Sequence, residues 1–139
     1  RRNMDDPVVV DGAKLFNESQ CAACHTPRHV TGEAPGRPDL SHQTIWPYTD
    51  LLLHDMGPKL ADGRDEFRAD GNEWRTPPLW GIGLAQQINP RSGFLHDGRA
   101  ETLEQAILWH GGEAQASADR YRAMSAQERA ALIRFLESL

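Results

Sequence analysis

The chain has 139 residues, a formal charge of −5 and 39% hydrophobic residues. That length suits one domain with a core of its own, and the acidic balance argues against a nucleic-acid surface, which would be basic. The longest aliphatic runs, Val8–Val10 and Leu51–Leu53, fall far short of the ~20 apolar residues of a membrane span.

Arg1–Pro7 has no apolar stretch of signal-peptide type and reads as a linker into a domain over 8–139, with the chain expected to be the C-terminal part of a longer one. A first helix is predicted over Val9–Ser19, with Gly12 and Phe16 on one face. Cys21-Ala22-Ala23-Cys24-His25 follows at once. From His29 to Arg99 no run alternates convincingly as a strand, and the region holds most of the Pro and Gly. It is expected to be loop or short helix, and so long a stretch needs something to organise it. A second helix opens at Thr102, where Gln105 completes a capping box. It presents Leu103, Ala106 and Ile107 and stops at Gly111-Gly112. The third, Ser125–Leu139, starts with a capping box of Ser125 and Glu128 and carries Leu132, Phe135, Leu136 and Leu139 on one face.

The five residues from Cys21 to His25 carry the chemistry. Two thiols three positions apart, followed by an imidazole, form the attachment site of a c-type haem. On one turn, both sulfurs reach the vinyl groups along one porphyrin edge, and the next residue places a nitrogen under the iron. Both cysteines of the chain are spent here. A thioredoxin-like dithiol would need no adjacent His and would expect a strand–helix setting. Zinc could draft Cys21, Cys24 and His29, but no second pair closes the sphere. One covalent haem is the expectation. Because such attachment is characteristically extracytoplasmic, the expected location is the periplasm, with the export signal outside this sequence.

His25 takes one face of the iron, and the other face decides the role. The candidates are His29, His42, His54, His96, His110, Met4, Met56 and Met124. His110 continues the apolar face Leu103–Ile107 by one more period, and the two glycines after it let the backbone approach a cofactor. Its plainer role is a C-terminal helix cap. Met56 is the rival, and its plainer role is core packing. His29 is too near His25 to cross easily, and Met4 and Met124 flank helices. Arg75, Trp74, Trp80, Trp46 and Tyr48 are candidate donors to the haem propionates, though aromatics are more often simply core. His96, beside Asp97, would tune the haem or close a turn. Pro27, Pro35 or Pro38 would offer a carbonyl to the second nitrogen of His25.

A run of segments then resembles a known group: Gly12-x-x-x-Phe16, Cys21–His25, Tyr48-Thr49-Asp50 through His54-Asp55-Met56-Gly57, Arg75-Thr76-Pro77-Pro78-Leu79, and Phe94-Leu95-His96-Asp97-Gly98-Arg99 with Thr102-Leu103-Glu104. In this order they are similar to the C-terminal haem domain of bacterial di-haem cytochrome c peroxidases and MauG-type enzymes. The nearest branch is that of the di-haem oxidoreductases, also called thiol oxidoreductases. The resemblance covers nearly the whole chain. It implies an all-α, cytochrome-c-like fold with first and last helices crossing through Gly12, Phe16, Leu132 and Phe135. It places His110 where relatives carry the distal ligand, commonly Met, and Met56 where they carry an aliphatic residue. It also implies that the catalytic haem lies in another domain, so that this one relays electrons to or from that second haem, with a small redox protein as partner. Several relatives hold Ca²⁺ between domains, but no carboxylate cluster here singles out such a site. The alternatives are a free-standing mono-haem shuttle and a haem with an open, catalytic face.

Overall fold

A computed structural model describes residues 2–139. Helix α1 (Pro7–Glu18) starts two residues earlier than predicted, because Asp6 caps it by accepting the Val8 N–H at 2.9 Å and Pro7 takes the first turn, where no N–H is needed. Of the expected linker, Arg1 lies outside the described residues, and the Arg2 N–H donates to Ser138 O at 2.7 Å. Helix α5 (Ala126–Ser138) opens on the predicted Ser125–Glu128 box, with both halves formed. These two helices pack against each other, and their buried faces, Val9, Gly12 and Phe16 against Ala131, Leu132, Phe135 and Leu136, make the core.

Gly12 is what lets the helices touch. A Cβ there would overlap the backbone carbonyl of Ala131. In an isolated helix Gly→Ala gains about 1 kcal/mol; here the overlap is with backbone, which cannot rotate aside, so the steric cost wins. Gly12→Ala is expected to destabilise the protein by about 1–3 kcal/mol in a denaturant titration. An unchanged or raised midpoint would show that the helices can part freely.

The all-α expectation needs correction. The middle of the chain builds two small antiparallel sheets: β1 (His29–Val30) with β2 (Thr44–Ile45), and β3 (Leu53–Asp55) with β4 (Glu73–Arg75). In the second, Leu53 faces Arg75, His54 faces Trp74 and Asp55 faces Glu73. Strands of two or three residues are too short to show alternation, so periodicity had nothing to detect. Pairing of β1 and β2 is extended by Thr31, whose hydroxyl donates to Leu40 O and accepts from Gln43 N.

Helix α2 (Ala85–Ile88) is a single turn. Helix α3 (Leu103–Trp109) is capped by Thr102, whose hydroxyl accepts the Gln105 N–H at 3.1 Å. The Gln105 amide oxygen accepts from Glu101 N instead of Thr102 N, so the predicted box is one residue displaced. Helix α4 (Gln115–Ala123) had no counterpart in the sequence reading. Its sequence, QASADRYRA, offers only Ala118 and Tyr121 to the core, too thin a stripe to read. Among the described residues, no helix is long and apolar enough to cross a membrane.

Candidate functional site

Cys21 begins a 3₁₀ turn (Cys21–Ala23) entered through Gln20, which adopts the left-handed region at φ 64°. The His25 N–H closes on Cys21 O at 2.9 Å, so the motif is one compact turn. Both thiols are free. Burial pushes the Cys21 thiol up to about 11, and burial followed by the charges of Asp50 and Glu113 raises Cys24. They are protonated thiols at neutral pH, unlike a low-pKa redox cysteine.

The segment 48–50 straps this turn from outside. The Thr49 N–H donates to Thr26 O at 3.0 Å and the Asp50 N–H to Cys24 O at 2.8 Å. Tyr48 takes φ 57°, a conformation costly for a bulky residue. Its carbonyl lies 3.1 Å from His25 Nδ1. The prolines expected to serve this nitrogen do not; Tyr48, expected as a propionate donor, serves it with its backbone. The Tyr48 ring is in the core, 6.0 Å from both Phe16 and Phe135.

His110 is the C-cap residue of α3, and its Nδ1 lies 2.7 Å from Ala106 O. The capping role and the ligand role are therefore compatible, because each uses a different nitrogen. A carbonyl only accepts, so Nδ1 carries the proton in both His25 and His110 and each Nε2 keeps its lone pair. Burial pushes the His25 pKa down to about 4, against the Tyr48 bond, and burial also lowers that of His110. The two rings are neutral at pH 7. Their centroids stand 6.4 Å apart with planes at 51°. Two metal–nitrogen bonds of about 2 Å plus the ring radii come to roughly 6 Å, a span comparable with this centroid separation.

The other histidines of the candidate set have partners of their own. His29 Nε2 donates to Thr49 O at 2.6 Å, and His42 pairs with Glu33 on the surface. His96 stacks on Trp74 with centroids 3.5 Å apart and planes at 11°. Its Nε2 is 3.8 Å from Asp97, whose closer partner is Arg99. The Arg99 guanidinium also covers the ring of Trp109, the neighbour of His110, at 5.1 Å. Met56 is half-buried, with its carbonyl under Gly111; Met4 is exposed and Met124 packs on the core. Arg75, Trp46 and Trp80 stand exposed. The indole N–H of Trp74 is buried with no acceptor among the described residues, a donor that an anionic ligand group would satisfy.

One cluster escaped the sequence reading. His54 lies between Asp50 and Glu113, at 2.8 Å from each. Cys24 Sγ, Asp50 and His54 present ligand atoms within 4.8 Å of one another. Sulfur and nitrogen do not suit Ca²⁺, and both His54 nitrogens already have carboxylate partners. No spacing rule links positions 50, 54 and 113; only the approach of Glu113 to β3 does.

A family model described as "Di-haem oxidoreductase, putative peroxidase" matches residues 1–139. No curated protein and no solved structure matches the chain.

Proposed function

Because the chain belongs to the di-haem oxidoreductase family, a family whose members bind haem, we propose that it is an electron-relay domain. In this reading Cys21 and Cys24 hold one haem covalently, His25 and His110 ligate its iron, and electrons pass to or from a second haem of the same periplasmic enzyme. The observation that carries it is the facing pair of neutral imidazoles, 6.4 Å apart, each with its proton committed to a backbone carbonyl.

Bound at this pair, a haem supplies a one-electron iron couple. The chain's residues do the rest. Cys21 and Cys24 would hold the group, each through a thioether to one vinyl position. Tyr48 and Ala106 orient the two rings and raise their donor strength by accepting the Nδ1 protons. With His25 and His110 both holding the iron, substrate would have no direct access to it, which favours relay over catalysis. Trp74, Arg75 and Trp80 are the donors proposed for the propionates, and His96, stacked on Trp74, would fix the indole plane.

The ferric spectrum tests the ligand pair. It is expected to be low-spin with two nitrogen axial ligands, and a near-infrared methionine–iron band would transfer the distal role to Met56. Haem counting on the full-length polypeptide tests the relay: two per chain are expected, and one would make the protein a free-standing shuttle.

A further inference from the structure

His54 takes part in neither axial bond, yet it holds the segment that follows one of them. Its Nε2 lies 2.8 Å from Asp50 Oδ2 and its Nδ1 lies 2.8 Å from Glu113 Oε2. Ionised carboxylates only accept, so keeping both bonds requires both ring protons and a charged imidazolium. The other oxygen of Glu113 accepts the Asp55 N–H at 3.1 Å. Glu113 belongs to a 3₁₀ turn (Gly112–Ala114) that starts two residues after His110. That turn lies directly on β3: a Cβ at Gly111 would stand 2.9 Å from Met56 O, and one at Gly112 would overlap Asp55 O. Nothing bulkier than glycine fits, so the side-chain bridge and the backbone contact act at one place.

We propose that His54 is a positioning residue for the distal ligand: bridged between Asp50 and Glu113, it locks the turn after His110 onto β3 and so keeps His110 opposite His25. The proposal rests on His110 being an iron ligand. The groups facing His54 are Asp50, Glu113 and the Cys24 sulfur, the last of which no longer titrates once it is a thioether, and the His25 ring is near enough to interact with it electrostatically. The Glu113 bond first, then the Asp50 bond, raise the His54 pKa above the ordinary histidine value, outweighing the opposing effect of burial. Such a group is fully charged below the ordinary value and loses its proton as pH rises through the raised one. One N–H then serves two carboxylates, and one of the bonds becomes a repulsive contact. The lock therefore opens on the alkaline side.

Carbon monoxide binding to the ferrous, haem-loaded protein tests this, because the probe is uncharged and must wait for the distal ligand to leave. Measured from about pH 6 to about pH 10, the wild-type rate should be slow and rise in one step above the ordinary histidine range. Glu113→Gln should bind roughly tenfold faster at neutral pH, with the step moved to lower pH. His54→Ala should be fast throughout, with no step, and should add nothing in a His110→Ala background. Glu113 is about half exposed, so Glu113→Gln should fold even where His54→Ala does not. Wild-type rates and pH profiles in both variants, alongside a fast His110→Ala, would overturn the lock alone. Slow binding in His110→Ala would overturn the ligand assignment beneath it.

Discussion

His110→Ala is expected to turn a low-spin ferric haem into a high-spin one with an open face. Once the protein ligand no longer competes, added cyanide or azide should bind at least about tenfold more tightly. The reasoning is local. His110 is fixed by its own helix through Ala106 O, which leaves Nε2 as its proposed ligand atom, and its ring centroid lies 6.4 Å from that of His25. Alanine removes that nitrogen and leaves Gly111 and Gly112 undisturbed on β3. Met56→Leu is the paired control and should stay low-spin, since Met56 is tied to the site by its backbone carbonyl under Gly111. A low-spin His110→Ala protein beside a high-spin Met56→Leu protein would reverse the assignment.

The double substitution Cys21→Ser with Cys24→Ser should abolish covalent retention of haem essentially completely. After denaturation in acidified organic solvent, the wild-type polypeptide should keep its colour and the variant should release it. Serine preserves the size of each side chain in a turn held mainly by backbone bonds from His25 and Asp50, so the polypeptide should still fold. Either single variant keeps one thiol and should retain haem through one thioether. A double variant that stays coloured would mean that neither sulfur is the tether.

What the sequence made legible was local chemistry and strong helix signals. The Cys21–His25 spacing needs five neighbouring residues, and the Ser125–Glu128 box needs four. His110 was reachable because a helical period carries the Leu103 face forward to it. The sheets were not legible, since β1–β4 pair two or three residues each and owe their register to contacts made far along the chain. Helix α4 was hidden by its polar surface. The Asp50–His54–Glu113 bridge joins residues up to 63 positions apart, and nothing in the spacing of three common polar residues announces it. The sequence points to the Tyr48 hydroxyl, whereas the structure puts the Tyr48 carbonyl against His25.

That last residue ties packing and site geometry together. The Tyr48 ring packs in the core against both Phe16 and Phe135, while its main-chain oxygen accepts the Nδ1–H hydrogen bond of His25. Hydrogen bonding to a ligand histidine is one of the levers that set a haem's potential. On the proposed ligation, a substitution at Phe16 or Phe135 that moves the Tyr48 ring would also move that oxygen, and so would alter fold stability and redox potential in the same step. The same coupling gives an engineer a handle on the potential from residues that need never touch the cofactor.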